Sequence, residues 1–290
     1  MMPCPPRSIR VECAVGQGAR VMHVYDWGDP RLDRTVVCVH GLSRNGRDFD
    51  VLAHALSDRF RVLCPDVPGR GLSDWLPGVQ DYTVTTYVRF MDALLEQEGI
   101  AQCDWIGTSM GGLIGLALAA RPASPVKRFV INDVGPAIER AALERIGQYI
   151  TQRPVFDTWE AMMAFVMPAL LPFGPLTDRQ RRHLLQTSVE RRRDGGWQFR
   201  HDPKIGEAFV AALSAPSADL WPLWEMAAKR GAETLILRGE HSDLLSKASV
   251  TRMLALDPTA RCHVVPNTGH APMMMDRATI DVVREFLLAA

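Results

Sequence analysis

Ser109 sits in the stretch CDWIGTSMGGLIGLALAA (Cys103 to Ala120), with Gly107 two residues before it and Gly111 two after, a G-x-S-x-G spacing. A serine hydroxyl becomes a competent nucleophile when a neighbouring base takes its proton, most often a histidine held by a carboxylate. Glycine inside a helix or strand costs about 0.5–1 kcal/mol relative to alanine, so glycines this dense need a compensating purpose. The apolar run before Ser109 and the helical pattern after it supply one. They predict a strained strand-to-helix turn whose glycines allow close approach and whose serine stands exposed at the carboxyl end of a sheet.

Of the eight histidines, His270 in VVPNTGHAPMMMD is the favoured base, because it follows the last predicted strand and precedes the last helix. His40, in VHGLSRNG, follows an earlier strand; His183 and His201 read as surface positions, and His23, His54 and His263 as ordinary strand or helix positions. Two carboxylates satisfy the order serine, acid, histidine. Asp243 in LRGEHSDLLS is favoured, since a loop after a strand can reach the outer nitrogen of His270. Asp133 in VINDVGP is the alternative acid, with turn capping beside Gly-Pro as its competing role; Glu240 and Asp276 are weaker candidates. Acyl transfer also needs donors for a developing oxyanion, and losing one costs about 2.7–4 kcal/mol of transition-state stabilisation. The backbone N–H groups of Met110, after the serine, and Leu42, in HGLSRNG, are the candidates. Arg44 and Asn45 lie next to that loop and are candidate substrate contacts by position alone.

These residues need a scaffold that brings distant loops to one edge. TVVCVH, RVLCPD, CDWIG, RFVIND, TLILRG and CHVVP are short, nearly continuous apolar runs, the pattern of parallel strands covered on both faces. IRVECAV and RVMHVYDWG precede them and predict an antiparallel hairpin through Gly16 and Gly18. Helical segments separate the later runs. YVRFMDALLEQEG puts Val88, Met91, Leu94 and Leu95 on one face and ends near Gly99, and IDVVREFLLAA closes the chain. The alternation predicts an α/β fold, a mostly parallel sheet flanked by helices. From about Pro136 to Met226 the rhythm breaks into long helical patterns without a convincing buried strand. Residues 1–135 and 227–290 are therefore expected to form one sheet-based core, and 136–226 a helical insertion over it.

Composition narrows the function classes. Lys plus Arg balances Asp plus Glu, 33 against 33, so no overall field favours nucleic acid or an anionic membrane. At 47% hydrophobic and 23% charged residues the chain reads as globular with an ample core. No run of eighteen apolar residues suggests a membrane span, and the proline-rich first residues do not read as a signal peptide. The six cysteines include Cys4 and form no CxxC pair; five lie in strand-like runs, where a thiol is a small core hydrophobe. A disulfide framework is not expected, and a cytoplasmic location is. The pattern needs no metal or organic cofactor, and it leaves oligomeric state open.

With these motifs in order, the chain resembles the α/β-hydrolase superfamily over nearly its whole length. VHGLSRNGRDF looks like the family's oxyanion loop and PDVPGRGLSD like its D-x-x-G-x-G-x-S turn. GTSMGG is similar to its nucleophile elbow, LRGEHSDLL to its acid loop and NTGHAPMM to its histidine loop. The resemblance implies a triad of Ser109, Asp243 and His270 and a helical cap over the pocket. Members often carry the acid three residues after the strand-end glycine, whereas Asp243 is four after Gly239; some carry it after the strand that ends here at Asp133. Both acids stay open.

The implied activity is hydrolysis of a small or medium ester or lactone through an acyl-enzyme. C–C bond hydrolysis, perhydrolysis or a lyase reaction are alternatives on the same fold, and a ligand receptor with a slow triad is the alternative outside catalysis. In the insertion, Met162, Met163, Phe165, Val166, Met167, Leu170 and Leu171, with Trp221 and Trp224, either line a pocket or, the stronger reading, pack the insertion down.

Overall fold

The computed structural model describes residues 5–16, 18–215 and 218–289, so Cys4 lies outside the described part. Among the described residues ten strands are formed: β1 Arg7–Val15, β2 Gly18–Trp27, β3 Thr35–Val39, β4 Arg61–Pro65, β5 Cys103–Thr108, β6 Val126–Asn132, β7 Val189–Arg191, β8 Trp197–Phe199, β9 Glu233–Gly239 and β10 Arg261–Val265. Eight make one sheet in the order β1-β2-β4-β3-β5-β6-β9-β10. The β1–β2 and β2–β4 pairings are antiparallel, and every pairing from β4 to β10 is parallel. All six apolar runs and both hairpin segments singled out in the sequence are strands of this sheet.

Their continuous apolar character has the expected cause. Successive strand side chains point to opposite faces, and both faces are covered. Val37, Val39, Trp105, Phe129 and Ile131 pack on one face against Phe90, Met91 and Leu94 of helix α2 (Val84–Gln97) and against α3 (Met110–Ala119). Val36, Cys38, Ile106, Val130 and Leu237 face the other way, onto Leu52 and Leu56 of α1 (Asp50–Leu56) and Val283 and Leu287 of α10 (Arg277–Leu288). Burying each such side chain contributes about 1.5–3 kcal/mol. Thr83 caps α2 by accepting from Thr86 N–H, and Asp276 caps α10 by accepting from Thr279 N–H. β10 is one of the two edge strands and is only partly covered.

Between β6 and β9 lie α4 (Arg140–Ile150), α5 (Trp159–Val166), α6 (Asp178–Ser188), α7 (Lys204–Leu213) and α8 (Trp221–Lys229), and α9 (Lys247–Leu256) follows β9. Two details differ from the sequence expectation. The helical pattern expected across 136–226 is interrupted: α6 stops at Ser188, and the chain forms the small β7–β8 ribbon around a turn at Gly195, Val189 opposite Phe199. Three-residue strands carry too little periodicity to be seen. The expected junction at 226/227 falls inside α8, whose Trp224 is buried and donates its indole N–H to Met253 O of α9.

Met162, Val166 and Leu170 are buried in a separate cluster with Phe156, Leu185 and Val189, so these apolar positions serve the insertion's own core. No single helix among the described residues is long and apolar enough to cross a membrane.

Candidate active site

β5 ends at Thr108 and α3 begins at Met110, so a single residue, Ser109, makes the turn. It does so at φ 51° and ψ −115°, a conformation that costs a non-glycine residue about 1–3 kcal/mol. The neighbouring glycines make the geometry possible. A Cβ on Gly107 would lie 2.3 Å from Gly111 O, and one on Gly111 would lie 2.0 Å from Val39 O. No side chain fits at either place. The Ser109 N–H is anchored on Asn132 O at 2.9 Å, which ties the turn to the end of β6.

His270 comes from the loop after β10. Its Nε2 is 3.0 Å from Ser109 Oγ, and its Nδ1 is 2.8 Å from Asp133 Oδ2. Sheet register explains the acid. Thr108 pairs with Asn132 and Asn132 with Leu237, so the next residue of β6's chain, Asp133, stands beside the serine turn. Asp133 is wholly buried, and its carboxylate accepts from Gly239 N–H at 2.9 Å and Ser242 Oγ–H at 2.8 Å as well as from His270. A buried carboxylate with three donors is held firmly in place. Hydroxyl, imidazole and carboxylate in this line can pass the serine proton to Nε2 while Nδ1–H stays on the acid.

Asp243, the acid favoured from the sequence, is not brought to His270. The loop after β9 turns Ser242 inward onto Asp133, and the following side chain points out, where Asp243 pairs with Arg145 of α4 at 2.7 and 2.9 Å. Of the weaker candidates, Glu240 accepts from Asn267 N–H and Asp276 caps α10.

His40 is wholly buried, with Nδ1 2.7 Å from Gly41 O and Nε2 accepting Val67 N–H at 2.9 Å. Burial pushes its pKa down to about 3, so it is a neutral strut for the loop that follows β3. That loop passes Ser109 closely: a Cβ on Gly41 would be 3.6 Å from Ser109 Cβ. Leu42 lines recesses on both sides of the serine, and Met110 lines one of them.

A residue the sequence reading passed over ties these two together. Arg70, between the glycines of PGRG, is wholly buried; its Nε donates to Leu42 O at 2.8 Å, and its Nη2 lies 3.5 Å from Met110 Sδ. Its Nη1 donates to Pro68 O and Tyr87 Oη. The only sequence signal was an arginine in a turn, which ordinarily means a solvated one.

Arg44 and Asn45 are both engaged by the scaffold. Arg44 grips Asp48 at 2.8 and 2.6 Å and reaches Ser188 Oγ at 2.6 Å, and Asn45 donates to Thr187 O. Both fasten the loop after β3 to the end of α6; Arg44 still lines a recess at the serine, and Asn45 does not. His183 and His201, expected at the surface, also face this seam. His183 Nε2 is 2.9 Å from Arg47 O, and His201 bridges to Arg70, with burial pushing its pKa down to about 4.

Two recesses meet at Ser109. One, of about 80 Å³, is lined by His270, Gly41, Arg44, Tyr149, Phe173 and Met273. The other, of about 670 Å³, runs between α3, α4 and α7 and the segment Val79–Val84, with Leu113, Val134, Ile146, Ile205, Ala208 and Phe209 among its walls.

A parallel sheet with a strained serine turn at its carboxyl edge defines a class. The profile of the alpha/beta hydrolase family matches residues 36–284, and the chain belongs to that family. Among its relatives, the 3-hydroxybutyrate-oligomer hydrolase of Cupriavidus necator is 39% identical over the full length of both chains. The mouse sn-1-specific diacylglycerol lipase ABHD11 is 27% identical over 84% of this chain and 76% of its own. An α/β hydrolase from Novosphingobium aromaticivorans, solved by crystallography, superposes with a TM-score of 0.86 at 34% identity, covering 97% of this chain and 98% of the other. The protein is a hydrolytic enzyme of this family.

Proposed function

We propose that the protein is a serine ester hydrolase in which Ser109, His270 and Asp133 form the triad. The observation that carries this reading is the continuous hydrogen-bonded line from Ser109 Oγ through His270 to the buried Asp133 carboxylate. Ser109 Oγ attacks the ester carbonyl carbon as its proton moves to His270 Nε2. The carbonyl oxygen, now an anion, turns to the Leu42 and Met110 N–H groups. Collapse breaks the bond to the alcohol oxygen, which leaves with the proton from Nε2. Water then adds to the acyl-enzyme, giving a proton to Nε2, and the acid departs as Oγ recovers it. Asp133 keeps Nδ1 protonated throughout and stabilises the imidazolium. Residues 136–226 act as a cap, and their attachment to the loops after β3 and β4 excludes water from the reacting atoms.

The full-length relative acts on 3-hydroxybutyrate oligomers, and short oligoesters of hydroxy acids are the proposed substrate class. Such chains offer ester oxygens and methyl groups but few hydrogen-bond donors, which suits a mainly apolar chamber. The test is a fluorophosphonate probe with the adduct located by mass spectrometry, alongside acid release from 3-hydroxybutyrate dimer and trimer. A single adduct on Ser109, absent from Ser109→Ala, together with turnover of the oligomers, is expected. Folded wild-type protein that takes no adduct refutes the serine reading. An adduct without oligomer turnover refutes the substrate class alone.

A further inference from the structure

The two recesses at Ser109 differ about eightfold in volume, and His270 lines only the smaller one. We infer that the large chamber is the acyl side and the small recess the leaving-group side, so that the enzyme selects esters of extended apolar acids with compact alcohols. The inference rests on the serine-hydrolase reading above and follows from where the proton must go.

When the tetrahedral intermediate collapses, the departing oxygen takes its proton from His270 Nε2. The alcohol therefore lies against the wall that carries His270, in the recess of about 80 Å³ with Phe173 and Met273. The carbonyl oxygen is committed to the Leu42 and Met110 N–H groups. The third substituent on the carbonyl carbon, the acyl chain, then points away from His270. On that side Ser109, Met110 and Leu42 open into the chamber of about 670 Å³. An apolar cavity of about 150 Å³ holds benzene, so the recess takes a short alcohol, and the chamber takes an acyl chain several times larger. Chamber walls such as Leu113, Val134, Ile146 and Ala208 reward apolar length there. On an oligoester of hydroxy acids this polarity puts the cut at the ester bond nearest the free carboxylate. One acid unit leaves as the alcohol, and the rest of the chain is the acyl group.

Ethyl hexanoate and hexyl acetate test this directly, because they are isomers that differ only in which side of the carbonyl bears the chain. Wild-type kcat/KM is expected to favour ethyl hexanoate by at least about tenfold, since each apolar carbon that gains a pocket adds discrimination. Parity, or a preference for hexyl acetate, overturns the assignment. Ala208→Trp, which fills the chamber from α7, is expected to lower the ratio of kcat/KM for ethyl hexanoate to that for ethyl acetate by about tenfold. An equal loss on both esters, with unchanged circular dichroism, also overturns it. Ser109 labelling with hexyl acetate preferred defeats the orientation and leaves the serine reading standing. Absence of both labelling and turnover defeats the two together.

Discussion

Replacing Asp133 by asparagine preserves the side chain's shape and changes what it can accept. The carboxylate takes hydrogens from Gly239 N–H at 2.9 Å, Ser242 Oγ–H at 2.8 Å and His270 Nδ1–H at 2.8 Å. An amide has one oxygen. If it keeps the Gly239 hydrogen, the NH₂ group faces His270 Nδ1, which must then accept. The ring proton moves to Nε2, and Nε2 can no longer take the proton of Ser109 Oγ, 3.0 Å away. The equivalent change in a serine-protease triad lowers kcat by about 10⁴, or about 5.5 kcal/mol at 1.36 kcal/mol per tenfold. That is the loss expected for Asp133→Asn, with KM little altered. Asp243→Asn breaks only the pair with Arg145, whose partners are roughly half exposed; such a pair contributes about 0.2–1 kcal/mol to stability and nothing to turnover. Initial rates on a soluble ester, read with fluorophosphonate labelling and thermal melts of each variant, separate chemistry from folding. A folded Asp133→Asn enzyme that keeps its rate, or an Asp243→Asn enzyme that loses it, refutes the reasoning.

Two further predictions concern the supports of the site. Gly111→Ala places a Cβ 2.0 Å from the Val39 carbonyl, whereas Gly41→Ala meets nothing nearer than 3.6 Å. Urea unfolding should show Gly111→Ala destabilised by about 3 kcal/mol or more and Gly41→Ala close to wild type; equal stabilities contradict the close-approach argument. His40 has a folded-state pKa of about 3 against an ordinary 6.5. Below pH 6.5 the unfolded chain binds a proton that the fold refuses, so this residue's contribution falls with pH, by roughly 3 kcal/mol at pH 4. Asp66 works in the opposite sense: burial raises its pKa to about 6, so the fold gains from it on acidification below that value. Both wild type and His40→Gln carry Asp66, so it cancels in their difference. The unfolding free energy of His40→Gln should lose less between pH 6.5 and 4, and parallel curves for the two proteins contradict the neutral buried histidine.

The sheet was legible in the sequence because strands covered on both faces must be apolar at every position, and Val36 to Val39 or Leu235 to Leu237 show it without any alternation. The serine turn was legible because only glycine tolerates the approach of Val39 to Gly111. The acid was not. Chain order puts Asp133 and Asp243 equally well between serine and histidine, and the choice depends on spatial strand order. β6 lies beside β5 while β9 lies one strand further out. It depends too on a single residue of phase in the loop after β9, which turns Ser242 inward and Asp243 out. The pocket was illegible for a related reason. An apolar stripe at helical spacing looks the same whether it meets a core or a cavity, and here Met162 and Val166 met the insertion's own core while Ala208 and Phe209 met the chamber. Arg44 and Asn45 show the same limit for polar groups. Their position beside the serine loop was read correctly, but their hydrogen bonds go to Asp48, Ser188 and Thr187. Adjacency to a site is encoded along the chain; whether an adjacent side chain faces the substrate or the scaffold is decided by what the fold has left unsatisfied around it.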